Sequence, residues 1–474
     1  MADAIIIEES IRLTGKQVTA IIKGNDPSQF IRNVAYYKGK NPPVIADGLE
    51  KAEKNINPNN VVPLPFARRT INDLMGYAFK PGNVNYVYTD EETNSKSVDK
   101  IKEIFEDNDA DLESSEVFLD TSVKGEGAEL LYFADERIQF DKIDRETCIF
   151  KYADTIKEDT LKWSIRYYHI ADIDPAGDEI KIYKAEVYTP TTIDYYEYTQ
   201  KGAEGRPLTD KDYVYIDSQP HPFNAVPLYP YRINSDKMGV YQASIPIIDK
   251  LDSFGSDSIA NAIDQFNDTI LTLSLKLDAE SAEKIKELKV IDGLGGKEEG
   301  NFAEFLQRNL DITNTLESTK LFERWYYELN SIPNLNDEKF GTPSGIAIAY
   351  ALVPFENLVT TMETYFSKGL QHRLELINNA LLFLDSSYTV VEATLEWQRN
   401  LPFDLETRSK IAVALKGSGL LSDETLLKLF PSSLVEDIPL EIEKRDKEKE
   451  ANMAAFMATE TKFNTDDSDD ADDN

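Results

Sequence analysis

The sequence is poor in the residues that build disulfide frameworks and metal centres. It contains a single cysteine, Cys148, which excludes an internal disulfide framework and fits a reducing compartment. Its three histidines, His169, His221 and His372, are far apart and show no metal-ligand spacing. We therefore expect no bound metal and no cofactor.

Long apolar runs are also missing. No stretch reaches about 18 uninterrupted apolar residues, which is the length that a membrane-spanning helix requires. The first residues, "MADAIIIEES", lack the basic region and the cleavage site of a secretory signal. We expect a soluble protein without a membrane partner and without an export signal.

Basic residues are outnumbered. The chain has 51 Lys and Arg against 85 Asp and Glu, a formal net charge of −34. A protein that holds nucleic acid tightly neutralises phosphates with Lys and Arg, so this chain should repel DNA on average. Residues 461–474 are predicted to be a disordered acidic tail, because blocks of like charge stay solvated.

Two local patterns resemble ligand sites and fail on inspection. "GLGGKEEG" at 293–300 lacks the spacing of a phosphate loop, and Glu298 and Glu299 would repel a phosphate, so a hairpin turn is the better interpretation. "DIDPAGDE" at 172–179 begins like a calcium loop, but its twelfth position is Tyr183 instead of Glu. No catalytic set is evident, and we expect no enzymatic activity.

The order of helix and strand patterns along the chain predicts an α+β fold. Helical patterns up to about residue 80 give way to strands rich in β-branched and aromatic residues, followed by long helices. One apolar seam predicts a helix over 243–275, roughly 50 Å long, and is formed by Ile259, Ile263, Phe266, Ile270 and Leu273.

Two further helices follow that seam. The pattern Asn314-x-x-Glu317 resembles a capping box and predicts a helix from Asn314 to Asn330. Thr342 and Pro343 predict the start of a long helix with an apolar stripe from Phe355 to Leu381. Pro354 lacks an amide donor, so this helix should kink there.

Two functional hypotheses are compatible with these patterns. The first is an acidic scaffold or adaptor that binds basic partners as a monomer or dimer, and the second is a metal-dependent hydrolase built on an unrecognised carboxylate cluster. The seam at 259–273, with its polar opposite face, favours packing between subunits along long helices.

Seven stretches, taken in order, resemble the portal proteins of tailed bacteriophages, in the branch of siphophages that infect Gram-positive hosts. The resemblance covers nearly the whole chain. The stretches are "YYKGK" (36–40), "MGYAFKPGNVNY" (75–86), "FNAVPLYPYRIN" (223–234), "PIIDKLDSFGSDSIANAIDQFNDTILTL" (246–273), "FGTPSGIAIAY" (340–350), "LEWQRNLPFD" (395–404) and "GLLSDETLLKLFP" (419–431).

The resemblance implies a division of the chain into the parts of a portal subunit. These are a wing with a helical and then a β-rich part (1–242), a stem helix (243–275), a small α/β clip (276–313), a second stem helix (314–330), a tunnel loop (331–342), a long channel and wing helix (343–385), the wing end and helical crown (386–460), and the acidic tail (461–474).

The resemblance also implies a function and partners. Twelve subunits would form a ring at the capsid vertex, assembled in the host cytoplasm, through which double-stranded DNA enters and leaves without sequence recognition. The terminase motor, the major capsid and scaffolding proteins, and head-completion adaptor proteins would bind this ring.

Residue roles follow from the same resemblance. In the clip, the motor and the adaptors would dock near Lys289, Asp292, Lys297, Glu298 and Glu299. The tunnel loop would offer one cation against two acids, which should let DNA slide; its residues are Asn334, Asn336, Asp337, Glu338 and Lys339. Ser344 and Pro354 would belong to the channel helix, which would carry this loop.

Overall fold

The computed structural model describes most of the chain in two compact units, residues Met1–Arg399 and Asn400–Asn474. The described residues are 12–46, 62–79, 82–153, 160–173, 179–201, 212–266, 270–273, 302–305, 312–334, 345–399, 405–418, 422–427, 430 and 438–466.

The helices are unequal in length, and the longest has 40 residues. In chain order they are α1 (Gly15–Lys23), α2 (Ser28–Tyr37), α3 (Phe66–Ala78), α4 (Ser95–Asp107), α5 (Ala110–Lys124), α6 (Ile245–Phe266), α7 (Ile312–Leu329), α8 (Gly345–Leu384), α9 (Leu405–Ser418), α10 (Asp423–Leu427) and α11 (Ile438–Asp466).

The strands lie mainly in the first half of the chain. They are β1 (Val84–Tyr88), β2 (Glu126–Ala134), β3 (Arg137–Ile143), β4 (Cys148–Tyr152), β5 (Leu161–Ile173), β6 (Glu179–Tyr188), β7 (Thr192–Lys201), β8 (Val214–Pro220), β9 (Leu228–Arg232), β10 (Ile270–Leu273), β11 (Phe302–Phe305) and β12 (Ala393–Trp397).

The largest sheet is an antiparallel meander of five strands, β4-β5-β6-β7-β8. Its registers are set by alternation, because one face of the sheet is buried. On that face Ile165 and Tyr196 pack with Val18 and Ile22 of α1. The capping box of α1, in which Thr14 and Gln17 bond reciprocally, fixes where this covering helix begins.

A second, three-stranded sheet in the order β3-β2-β9 supports the long helix α8. Its core joins Leu131 and Phe140 of the sheet to Leu374 and Ile377 of α8. A separate pair, β1 with β12, brings Tyr86 opposite Leu395 and so ties residues far apart in sequence to the same unit.

The two predicted helices around the polar loop are confirmed as helices. The one predicted from Asn314 to Asn330 is α7, although it begins at Ile312, so Asn314 lies inside the helix and does not precede it as a cap. The one predicted over 343–385 is α8, which continues through Pro354. The predicted stripe is buried from Phe355 to Leu381, except that Val359 is buried in place of Leu358.

The predicted helix over 243–275 is wrong at 270–273. The helix α6 ends at Phe266, and Ile270 and Leu273 lie in β10, which pairs antiparallel with β11. The sequence Asn267-Asp268-Thr269 explains the end, since these residues favour turns over helix interiors. The apolar seam therefore does not run along one helix.

The strand β11 lies in the segment expected to be the clip (276–313) and pairs antiparallel with β10, which precedes that segment. The proposed docking residues Lys289, Asp292, Lys297, Glu298 and Glu299, and the turn at 293–300, lie outside the described residues.

The acidic tail begins later than predicted. Residues 461–466 continue α11, so only positions after Asp466 are left to the predicted tail, and these lie outside the described residues. The preceding residues "ANMAAFMATE" explain the continuation, because Ala, Met and Glu are strong helix formers. Within this second unit, Arg445 of α11 bonds Asp423 of α10 at 2.6 Å.

Candidate channel elements

The polar loop after α7 has a fixed starting point. Asn334 is its last described residue, whereas Asn336, Asp337, Glu338, Lys339 and Ser344 lie outside the described residues. At the end of α7, Ser331 adopts a left-handed conformation (φ 57°), and the amide of Ile332 donates to the carbonyl of Tyr327 (3.1 Å). This arrangement closes the helix as a Schellman-type cap. Ile332, at the beginning of the loop, is buried.

The same point is tied to the start of α6 by buried polar groups. The hydroxyl of Ser244 donates to Oδ1 of Asn330 (3.0 Å), and Nδ2 of Asn330 donates to the carbonyl of Tyr326 (2.8 Å). All three residues are buried. The side chain of Asn330 therefore has partners on both its oxygen and its nitrogen, which fixes the beginning of the loop against α6.

The last turns of α7 rest on α3. The hydroxyls of Tyr326 and Thr70 lie 2.7 Å apart in a buried contact, and the ring of Phe66 lies 5.3 Å from that of Tyr326. Burial raises the pKa of Tyr326 well above its ordinary value. Because this end of α7 is held by α3 and by the start of α6, the beginning of the loop belongs to the rigid body of the subunit.

The two helices α6 and α7 pack side by side, and α6 carries an anchoring carboxylate, Asp252. The rings of Phe254 and Phe322 lie 5.5 Å apart. Asp252 accepts from the amide of Leu64 (2.7 Å) and from Asn41 Nδ2 (2.6 Å), and burial raises its pKa. The backbones of Ile259, Ile263 and Phe266 lie in α6, while their side chains fall outside the described part of the chain.

The second half of α8 is clamped by a fully buried ion pair. Arg373 donates to both oxygens of Glu129 on β2, at 2.9 Å from Nε and 2.5 Å from Nη2. Its Nη1 donates to Ser114 (2.7 Å), and Tyr231 donates to Glu129 (2.8 Å). Burial alone would lower the pKa of Arg373, but the facing carboxylate raises it above its ordinary value. A bidentate, fully bonded pair of this kind fixes the register of α8 on the sheet.

A second arginine, Arg399, binds the segment after β12 to α8 just after Pro354. Arg399, the last residue of the first unit, donates to Glu356 (2.9 Å) and to Glu363 (2.9 Å from Nη2), while the indole of Trp397 donates to Ser367 (3.0 Å). Burial raises the pKa of Glu363, and the guanidinium of Arg399 opposes that rise. These bonds therefore hold α8 from the first turn after the proline onward.

A third cluster lies between β2 and β9. Glu126 is buried and faces three cations: Arg145 (2.7 Å), Arg232 (3.2 Å) and Lys237 (3.2 Å). Burial opposes ionisation, but these cations outweigh it and hold the pKa of Glu126 below its ordinary value. The carboxylate thus ties the sheet edge to the segment that leads to α6. Sequence reasoning identified none of these buried charge pairs.

No group of three or more His, Cys, Asp or Glu in the described part of the chain could hold a metal ion. None of the helices there is long and apolar enough to cross a membrane.

Comparison with known families identifies the chain. Residues 23–455 match the family described as phage portal protein, SPP1 Gp6-like, and this match spans the stem-like helices, the loop between α7 and α8, and most of the second unit. None of the curated proteins matches the sequence. The chain therefore belongs to the SPP1 Gp6-like family of phage portal proteins, structural proteins that form an oligomeric ring at the capsid vertex of the virion, where terminase packages DNA through it.

Proposed function

We propose that twelve copies form this ring and that α6 and α7 are its stem. The observation that carries the assignment is the arrangement around the polar loop: α6 and α7 pack side by side, and the loop leaves α7 from a cap fixed by Asn330. In this proposal 331–342 is the tunnel loop and α8 stands behind it. The clip lies within 276–313, and β10 and β11 pair at the end of α6 that leads into it.

The tunnel loop would let DNA pass without gripping it. Its candidate residues Asn334, Asn336, Asp337, Glu338 and Lys339 bring one cation and two acids per subunit, repeated around the ring. Basic walls would bind the dense phosphate charge, whereas amides and acids do not, and no base would be recognised. Pro354, which lacks an amide donor, would let the first turns of α8 bend as the loop shifts.

Several finer features of the portal are part of the proposal. The ring would assemble in the host cytoplasm on scaffolding protein, release the genome as well as admit it, and bind head-completion adaptors through the clip. The phage would be a siphophage of a Gram-positive host. The support for these features is the order of the sequence stretches that resemble that branch.

The stoichiometry is tested by light scattering and negative-stain imaging of the purified chain. A ring with a central hole and a mass near twelve times 53.7 kDa would support the proposal. A compact monomer at every concentration would contradict it and favour an acidic adaptor that binds basic partners.

Lys339→Glu tests the role of the tunnel loop. We expect rings to assemble normally but DNA packaging or retention to change, because the only cation in the loop is replaced. Lys16→Glu, the same charge change at an exposed residue of α1 outside the proposed channel and clip, is the matched control for the added negative charge. A Lys339→Glu chain that fails to form rings would refute the separation of conduction from assembly.

A further inference from the structure

The helix α7 carries an apolar row that its own subunit leaves open. Leu321, Trp325 and Leu329 recur every fourth residue, which places them in one line along the helix. Their exposed fractions are 43%, 43% and 70%. A contiguous exposed row of this kind marks an interaction surface. Beside this row, Arg324 and Glu328 of the same helix form an ion pair at 2.7 Å.

A second open apolar surface lies at the start of α8. No charged residue occurs from Phe340 to Phe355, so the first turns of the helix are uncharged all round. Within them Tyr350 is 75% exposed and Val353 is 47% exposed. A helix segment without a polar face is expected to be buried in the assembled protein.

These two surfaces, resting on the ring function above, assign the contact between neighbouring subunits. We propose that the start of α8 in one copy packs against the row Leu321, Trp325, Leu329 of α7 in the next copy. We call this contact the α7–α8 contact.

The form of a ring favours this assignment over other occupants. A closed ring is built from head-to-tail contacts, in which each copy offers two different and complementary surfaces to its two neighbours. Within the part of the chain that the structure describes, the row on α7 and the start of α8 are two such surfaces, and their apolar side chains are exposed in the single subunit. Arg324 and Glu328, which flank Trp325 and Leu329, are already paired with each other, and the α8 surface brings no charge. Burying Trp325 and Leu329 against that surface therefore leaves neither Arg324 nor Glu328 unpaired.

The contact would also place the tunnel loop between neighbours. The row on α7 ends at Leu329, two residues before the cap that starts the loop, and α8 begins where the loop ends. A contact from one end of the loop to the next copy would make the loops of adjacent subunits move together.

Cysteine cross-linking tests the contact without a background signal. Cys148 is fully buried, and burial raises the pKa of its thiol to about 12, so engineered cysteines supply the reactive thiols. Leu329→Cys and Tyr350→Cys are made as separate chains carrying tags of different size. They are co-assembled in equal amounts and then oxidised under mild conditions.

We expect covalent dimers that contain one chain of each kind, and few dimers from either chain alone. A disulfide requires Cα atoms within about 4.4–6.8 Å, so the bond reports direct contact. Glu328→Cys paired with Tyr350→Cys is the matched control, because it moves the thiol one residue round α7 from the row. Equal cross-linking in that control, or rings that give no mixed dimers, would overturn the contact.

Tryptophan fluorescence of the unmodified chain gives a second readout. Trp325 is half-exposed in the single subunit, so assembly should shift its emission to shorter wavelength, and Trp325→Phe should remove that shift. Rings without the shift contradict the α7–α8 contact while leaving the portal function intact. The absence of rings in the unmodified protein would contradict the proposed function itself.

Discussion

The two ends of α8 face different environments. From residue 359 to residue 381 its inner face is buried, and Arg373 is bound to Glu129 inside the subunit. Its first turns instead leave Tyr350 and Val353 open. One helix therefore serves two purposes: its second half holds the subunit together, and its first turns are available to a neighbour. Stability of the subunit and assembly of the ring should accordingly respond to different substitutions.

The largest loss of subunit stability is expected at the buried ion pair between Arg373 and Glu129. Arg373→Met leaves Glu129 buried without its cation, which typically costs about 3–5 kcal/mol of unfolding free energy. Chemical denaturation of the unassembled subunit measures the loss. The double variant Arg373→Met/Glu129→Leu is the control and should recover most of it. A single variant within about 1 kcal/mol of the parent would show that the pair does not anchor α8.

A smaller loss of subunit stability is expected where α8 packs on β9. A Cβ added at Gly369 would lie 2.3 Å from the ring of Tyr231, which is fully buried. Gly369→Ala should therefore destabilise the subunit by about 1–3 kcal/mol through overpacking. Gly76→Ala in α3 meets no atom within 4 Å and should stabilise by about 0.5–1 kcal/mol instead. Equal shifts in melting temperature for both variants would refute the packing explanation.

A substitution in the cap that ends α7 should increase the stability of the subunit modestly. Ser331 holds a positive φ that glycine adopts freely, so Ser331→Gly should raise the unfolding free energy by up to about 1 kcal/mol. The same denaturation experiment detects it. A clear loss of stability would mean that the cap is held by the serine side chain and not by the backbone.

The smallest effect on the subunit is expected at the open end of α8. Tyr350→Gln should change the unfolding free energy of the single subunit by less than about 0.5 kcal/mol, because the side chain of Tyr350 is exposed. Ring formation, followed by light scattering, should nevertheless weaken. A large loss of subunit stability would place Tyr350 in the core of the subunit. It would then contradict the difference in environment between the two ends of α8.

The long helices could be predicted from sequence because their apolar residues recur with the helical period. The stripe from Phe355 to Leu381 identifies α8, and the row at Leu321, Trp325 and Leu329 identifies α7. The helix α5 was missed for the opposite reason: its buried positions include Asp120, Ser122 and Lys124, so the apolar period is weak. Ion pairing of Lys124 with Asp120 (2.8 Å) and Glu146 (2.6 Å) makes that polar burial possible.

The contacts that hold the candidate channel elements could not be predicted from sequence. Arg373 and Glu129 are 244 residues apart, and Asn330 and Ser244 are 86 apart. No local pattern marks such partners, since only the tertiary fold brings them together. The prediction missed the end of α6 because the apolar spacing continues from the helix into the strand β10, and the spacing of apolar residues alone does not separate a helix from a strand.

Amide hydrogen exchange of α8, measured in unassembled subunits and in rings, tests the central claim most directly. The account predicts that peptides from 366–384 are protected in both states, whereas peptides from 345–354 become protected only in the ring. Equal protection of 345–354 in both states, or its failure to gain protection in rings, would contradict the division of α8 into a half that holds the subunit and a start that joins it to its neighbour.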